Sequence, residues 1–440
     1  MSTKARSTNR QHRDRHGRPL VAITGAGVVT SLGRGKADNW AALTAGRSGV
    51  HRITRFCTDN LRTSIAGTVD DVSADPSCAP KLSEQLAILA AEEAVAQSGI
   101  GSRGDFPGAL FLAVPPVEME WPQRIALAQA SDQTGDVTYT DLLRAAGSGQ
   151  FREWHDLFLF GTVADHIAER FGTKGSPISL STACSSGATA IQLGVEAIRR
   201  GETQAALAIG TDGSVHAEAL IRFSLLSALS THNDDPEGAS RPFSKNRDGF
   251  VMGEGAGALV LEDYDAALAR GATILGFLSG CGEKGDGFHR TRSSPSGAPI
   301  IAAIDEAIRD AGLSPDDIDY INAHGTGTPE NDKMEALGCL AVLGERMKTV
   351  PISSNKSMIG HTLTAAGAVE AVFSLQTILN GRLPPTINYT VPDPAIPLDV
   401  VPNEARDEQV TAALSNSFGF GGQNTCLVIT AEPVAVEPAE

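Results

Sequence analysis

The sequence predicts a layered α/β fold with an internal echo. Three observations lead there. Helical stretches such as "KLSEQLAILAAEEAVAQSGI" (81–100) alternate with short apolar strands such as "GALFLAV" (108–114), as helices packed on sheet faces require. The composition, 41% apolar and 20% charged with 46 glycines in 440 residues, supplies turns for many strand–helix crossings and exceeds one ordinary core. Finally, "SPISLSTACSSGATAIQLGVEAIRRGE" (176–202) reads like "VPISSNKSMIGHTLTAAGAVEAVFSLQTILNGR" (350–382). Each has a Pro-Ile-Ser strand, a polar turn and a small-residue helix containing Val-Glu-Ala. The echo fits a duplication, and equally two similar units arising by coincidence.

Charge narrows the function classes. The net charge is −16, yet the first twenty residues carry six Lys/Arg against one acidic residue, leaving the remainder at −21. So acidic a body argues against nucleic acid as the main ligand. Residues 1–19 lack an apolar stretch and read as a disordered basic leader, not a secretory signal. No apolar run approaches a membrane span. The six cysteines are irregularly spaced, with neither a C-x-x-C pair nor a disulfide-like pattern, which points to a reducing compartment, the cytoplasm by default.

In chain order, "PLVAITGAGVV" (19–29) opens the ordered part as an apolar strand running into glycines. It imitates a dinucleotide-binding turn, but Thr30 stands where G-x-G-x-x-G needs its third glycine, and no strand ending in an acidic residue follows at the right distance. The next chemistry is at "PISLSTACSSG". "PISLST" reads as a strand, and Ala188, Ile191, Val195 and Ile198 form one apolar helical stripe. Cys184 therefore falls at a strand-to-helix junction, where unpaired amides and the positive end of the helix dipole favour a thiolate and can hold an oxyanion. A buried structural thiol is the competing reading. His324 in "NAHGTGT" and His361 in "NKSMIGH" stand in Gly/Thr loops at strand exits, where α/β proteins gather their sites, although a lone histidine is often structural. Lys356 and Glu335 lie in or near those loops, with a solvated ion pair as their plain alternative. In "SNSFGFGGQNTCLVI" (415–429), Gly419, Gly421 and Gly422 permit close backbone approach, and Phe420 reads as a gate or a packed aromatic. "AEPVAVEPAE" closes the chain as a loose tail over 433–440.

Taken together, Cys184 in "TACSSG", His324 in "NAHGTGT", His361 in "NKSMIGH" and Phe420 in "NSFGFGG" resemble the signature set of the β-ketoacyl-acyl carrier protein synthases, the elongating condensing enzymes of fatty acid and polyketide synthesis. The likeness runs from about residue 20 to 432. It implies the thiolase-like fold, two duplicated α/β halves in a five-layered αβαβα core. The N-terminal half, 20–272, would carry the cysteine, and the C-terminal half, 273–432, the two histidines. It implies that Cys184 takes an acyl chain as a thioester and that His324 and His361 hydrogen-bond the malonyl thioester carbonyl during decarboxylation. The amides of Cys184 and Phe420 would form an oxyanion hole, Lys356 and Glu335 would support the histidine loops, and Thr326, Thr328, Phe223 and Phe420 would contact substrate. No metal or redox cofactor is implied. Acyl carrier protein is the implied partner, and a homodimer or a heterodimer with a related synthase the implied assembly.

The chain departs from that pattern in places. "PPVEMEWPQR" (115–124) replaces a glycine-rich turn, Ser227 stands where many relatives have arginine, and Gln423 where threonine is common. These departures suggest a specialised branch for very long or unusual acyl chains. In 115–124 the two prolines end the preceding strand, Met119 and Trp121 add apolar bulk, and Glu118 and Glu120 add charge. An extended segment would turn alternate residues toward the acyl pocket or a partner, and toward solvent. Three rival functions have distinct marks. A chain-length partner typically lacks the cysteine, an oxidoreductase would rest on "GAGVVT" alone, and a cysteine hydrolase needs one base with water access.

Overall fold

The structure is a computed structural model that describes residues 12–72, 75, 78–101, 104–131 and 137–434. Its principal elements fall into two series. The first comprises β1 (Val21–Thr30), α1 (Ala79–Ser98), β2 (Ala109–Ala113), α2 (Trp121–Gln129), α3 (Thr162–Phe171), β3 (Ile178–Leu180), α4 (Ser186–Arg199), β4 (Ala205–Asp212), α5 (Ala217–Leu225) and β5 (Gly255–Asp263). The second comprises β6 (Gly276–Gly285), α6 (Ala298–Asp310), β7 (Tyr320–Asn322), α7 (Pro329–Leu343), β8 (Ile352–Ser353), α8 (Lys356–Ile359), α9 (Ala366–Asn380), β9 (Ala412–Phe418) and β10 (Gln423–Thr430).

The pairing repeats. In the first series the spatial order is β1-β5-β4-β2-β3, with two antiparallel contacts followed by two parallel ones. In the second it is β6-β10-β9-β7-β8, again antiparallel twice and then parallel twice. Among the described residues the two five-stranded arrays pair with each other only where β1 meets β6, at Ala22–Phe277 and Ile23–Gly276. Helices α4 and α9 lie between the arrays and pack on both, α1 covers the outer face of the first, and α6 with α7 covers the second. The result is a five-layered αβαβα core. The sequence echo falls on β3–α4 and β8–α9, which occupy equivalent places, so duplication and not coincidence accounts for it.

Glycines set the spacing of these layers. A Cβ on Gly25 or Gly27 would lie 2.0 Å from the carbonyl oxygens of Ala94 and Ala90 on α1. The second half uses the same device: Gly280 and Gly282 would meet the carbonyls of Ala307 and Ala303 on α6 at 2.1 and 2.2 Å. The "GAGVV" glycines therefore bring a helix close to a strand, which is why they imitate a nucleotide-binding turn. At the centre, a Cβ on Gly187 would meet the Ala368 amide at 2.5 Å, and one on Gly367 the Ala188 amide at 2.5 Å, so α4 and α9 cross backbone to backbone.

The chain ends need one correction. Residues 1–11 of the expected leader, and 435–440 of the expected tail, lie outside the described residues. Residues 12–19, however, are no loose arm. Asp14 takes the amides of His16 and Arg18, Arg18 also pairs with Asp310, and His12 packs edge-on against Tyr264. The leader's charges have partners on the body, which gives the segment a fixed place. Among the described residues no helix is long and apolar enough to cross a membrane.

Candidate active site

Cys184 occupies the tight link between β3 and α4. Ala183 holds φ at +52°, a left-handed conformation that costs energy for a side-chain-bearing residue and aims the next side chain out of the strand direction. The link is tied by its own hydroxyls. Ser186 Oγ accepts the Thr182 amide at 2.8 Å and donates to the Ala183 carbonyl at 2.5 Å, while Ser185 Oγ donates to the Thr182 carbonyl at 2.8 Å. Ser185 is the N-cap residue, but its side chain turns back to the loop and leaves the helix amides uncapped. The glycine-rich turn after β9 closes on this link: Gly419 lies so near that a Cβ would meet the Thr182 carbonyl at 3.0 Å. That approach brings the Phe420 amide, like the amide of Cys184 itself, close enough to the Cys184 sulfur to favour its thiolate.

The expected thiolate is corrected. Cys184 is buried, and burial pushes its thiol up to about 11, against the lowering contributions of the Phe420 amide, Lys356 and its own amide. Desolvation outweighs the helix terminus, so the resting side chain is a thiol.

The histidines come from the other half. His324 follows β7, and its loop is held by Glu335 on α7. The two carboxylate oxygens of Glu335 accept the amides of His324 and Gly325 at 2.8 and 2.7 Å, and Asn416 donates to the same carboxylate at 3.1 Å. Burial raises Glu335 to about 7 despite those donors. His361 follows α8 and is clamped by its backbone. Its amide donates to the Val251 carbonyl at 2.7 Å and its carbonyl accepts the Gly253 amide at 2.9 Å. Lys356, the first residue of α8, pairs with Glu370 on α9, both about 1% exposed. Lys356 and Glu335 thus both serve the histidine loops but pair with other groups, not with each other. The solvated reading fails for both.

Geometry fixes the tautomers. An ammonium only donates, so Lys356 Nζ, 3.4 Å from His324 Nδ1, requires that nitrogen to accept. His361 Nδ1 accepts the Leu363 amide at 3.2 Å. Each neutral ring therefore carries its proton on Nε2. Burial is the main cause holding both rings well below the usual histidine range, with Lys356 adding to it and His361 adding further at His324. The rings stand edge to face with centroids 5.2 Å apart. One ligand atom from each of Cys184, His324 and His361 lies within 4.8 Å of the others. Such a trio has the residue types and spacing of a metal site, yet neutral rings with Nε2–H present donors to its centre and not lone pairs. His361 Nε2 is buried without a partner, an unused donor facing the space beside Cys184.

Two cavities meet at Cys184. The outer one, about 750 Å³, is lined by both histidines, Thr326, Thr328, Phe223, Ser227 and Phe420. The Thr326 and Thr328 hydroxyls bond each other at 2.8 Å. The inner cavity, about 390 Å³, shares Cys184, Phe223 and Phe420 and runs to Pro115, Pro116, Val117, Glu118 and Glu120. Phe420 therefore stands between the cavities. Segment 115–124 does reach the inner cavity, but not as alternation suggested: α2 begins at Trp121, whose side chain is 54% exposed, while Glu120 is only 3% exposed. Glu120 turns inward as the N-cap of the helix that starts at Trp121, whereas the Glu118 side chain stays 39% exposed and pairs with Arg222. Glu370, the Leu363 amide and Asp212, which accepts from Thr364 beside the inner cavity, went unnoticed in the sequence.

Known proteins match this chain closely. Residues 19–267 match the "Beta-ketoacyl synthase, N-terminal domain" and residues 275–390 the "Beta-ketoacyl synthase, C-terminal domain". A "3-oxoacyl-[acyl-carrier-protein] synthase 2" of Coxiella burnetii is 38% identical over 93% of this chain and 98% of its own. The "Tetracenomycin polyketide synthase ketoacyl synthase alpha subunit" of Streptomyces glaucescens is 36% identical over 94% of this chain and 98% of its own. Among solved structures, the ketosynthase complex "AntDE:AntF", a type II PKS acyl-carrier protein with its ketosynthase bound to the hexaketide, superposes with a TM-score of 0.85 at 31% identity, covering 94% of this chain and 100% of that one.

Proposed function

The chain belongs to the β-ketoacyl synthase family, and from that premise we propose how its residues carry out the decarboxylative condensation of an acyl thioester with malonyl-acyl carrier protein. The enzyme is an acyltransferase that yields a 3-oxoacyl-acyl carrier protein. In the first half-reaction the Cys184 sulfur bonds to the acyl carbonyl carbon. The carbonyl oxygen takes negative charge against the amides of Cys184 and Phe420, the carrier's thiolate leaves, and it collects the proton that Cys184 loses. Malonyl thioester then enters through the outer cavity, past Thr326 and Thr328. Its C–CO₂ bond breaks, CO₂ departs, and the electron pair forms an enolate whose oxygen is held by the Nε2–H groups of His324 and His361. The enolate carbon bonds to the acyl carbon, and collapse of that intermediate releases the Cys184 thiolate, which takes a proton from solvent. No metal or redox group enters these steps, since loss of CO₂ drives them.

One observation carries the reading. Both Nδ1 atoms accept hydrogen bonds, so two neutral N–H donors converge beside the cysteine. Each donor in such a site is worth about 10²–10³ in rate. The test is to measure malonyl decarboxylation and acyl loading separately. His324→Ala and His361→Ala should each lose decarboxylation while Cys184 still takes up acyl groups, and Cys184→Ala should lose loading. Native decarboxylation in both histidine variants would remove the mechanism.

Acyl carrier protein is the partner. For assembly we read a homodimer, formed across β3, which ends its sheet with Ile178 exposed. The heterodimer alternative draws on the relative named as an alpha subunit. Native mass spectrometry of the purified chain separates the two. Free cysteines throughout the described residues support a reducing, cytoplasmic setting.

A further inference from the structure

The inner cavity is an unusual place to store an alkyl chain. Most of its wall is apolar, from Ala79, Pro80, Val117, Phe223, Leu226 and Leu363, but one part is not. There Glu120 and His216 face each other across the space, with His216 Nε2 3.9 Å from Glu120 Oε1. That gap is too long for a hydrogen bond and short enough for one polar atom to bridge.

The neighbouring charges are otherwise engaged. Glu118 pairs with Arg222, and Asp212 accepts from Ser214 and Thr364. Nδ1 of His216 lies 3.2 Å from the Glu218 carboxylate and 3.4 Å from the Ala219 amide. Among the described residues no hydrogen bond uses His216 Nε2. Glu120 caps α2 by accepting the Gln123 amide, and its Oε1 accepts the Ala79 amide at 2.9 Å at the start of α1, which leaves Oε1 one further lone pair on the cavity side. Burial raises Glu120 to about 7, followed by the Ala79 amide acting against it and the charge of Glu218 adding to the rise. The Glu120 side chain is 3% exposed and that of His216 12%, so an acyl chain that displaced water from between them without bridging them would incur a desolvation cost.

Resting on the condensing reaction above, we propose that the inner cavity selects acyl chains bearing a hydroxyl, which bridges Glu120 and His216, over plain alkyl chains of the same length. A hydroxyl donates its one proton to Glu120 and accepts from Nε2–H, the tautomer in which Nδ1 takes the Ala219 amide. A methylene offers His216 Nε2 no partner and Glu120 no further one, and a site that hydrogen-bonds a substrate group strongly rejects the analogue lacking it.

The test loads Cys184 of the full-length enzyme from acyl carrier protein carrying matched chains, saturated or hydroxylated at successive positions, and reads intact mass over time. At one position the hydroxyacyl chain should load about tenfold or more faster than its alkyl match. Glu120→Gln keeps an oxygen for the Ala79 amide, and His216→Phe removes the opposite wall, and each should bring the ratio toward one. Equal loading of alkyl and hydroxyacyl chains at every position would overturn the proposal, as would a preference untouched by both variants in folded protein. Because the native enzyme's ratio is read first, a variant that fails to fold leaves the test intact. If no acyl chain loads Cys184 at all, it is the condensing function that fails, and the two failures are told apart.

Discussion

Replacing Lys356 by methionine tests whether a buried ion pair acts on the chemistry or only on the fold. Lys356 and Glu370 are both about 1% exposed and bonded to each other, and Lys356 also donates toward His324 Nδ1. Breaking such a pair from one side costs about 3–5 kcal/mol when the remaining charge stays ionised. Here Glu370 already sits at about 7, raised by burial and lowered by Lys356. Once Lys356 is gone it takes up a proton at neutral pH, so we expect the lower end, about 3 kcal/mol. Lys356→Met/Glu370→Gln removes both charges and should recover at least half of that loss. Decarboxylation should not recover with it. His324 loses the donor that keeps its proton on Nε2, and the rate should stay about 10²-fold down in both variants. Lys356 is also one of the causes holding His324 below the usual histidine range, so the acid limb of the decarboxylation profile should move to higher pH in both. Chemical denaturation supplies the stabilities and CO₂ release the rates. If decarboxylation returns with stability in the double variant, Lys356 is structural and the tautomer argument is wrong.

Other expectations follow from single features. With Cys184 at about 11, its thiolate is about one part in ten thousand at pH 7, so alkylation by iodoacetamide should rise about tenfold per pH unit up to pH 10. A plateau near pH 8, mapped to residue 184 by mass spectrometry, would contradict the burial argument. Gly25→Ala and Gly280→Ala put a methyl into the carbonyls of Ala94 and Ala307, and each should lower the denaturation free energy by about 3 kcal/mol. Similar costs in the two halves are expected because the contacts are equivalent.

Much of this was legible before any coordinates. Cys184, His324 and His361 stood out because each sits in a short polar loop read as a strand's exit, although α8 lies between β8 and His361, and the Pro-Ile-Ser echo left duplication and coincidence open. Glu370 was harder. It shares its Val-Glu-Ala tripeptide with Glu196 in the other half, yet Glu196 reaches Gln192 and Arg200 near the surface while Glu370 is sealed between two sheets. Position in the layers separates them, not local sequence. One signal was available: "AGAVEAVFSLQTIL" carries a single charge among small, apolar and uncharged polar residues, so its helix is central and its lone carboxylate must have a partner. The 115–124 segment failed for a different reason. Alternation was assumed for a stretch whose second half is the start of a helix, and the period decides which side chains turn inward.

The crossing of α4 and α9 at Gly187 and Gly367 makes the reactive centre a mechanical linkage. One helix begins just after the nucleophile and the other just after the loop that carries His361, and at their contact backbone meets backbone with no side chain between to absorb a shift. A displacement of either helix moves the cysteine and the donor loop together, so neither can be retuned alone. Adaptation to new substrates is thereby driven outward, to walls that touch the acyl chain without touching the crossing. The stretch after β2 and helix α5 are such walls, and they hold Glu118, Glu120 and Arg222. A duplicated scaffold of this kind keeps its chemistry constant by construction and leaves its diet to the periphery.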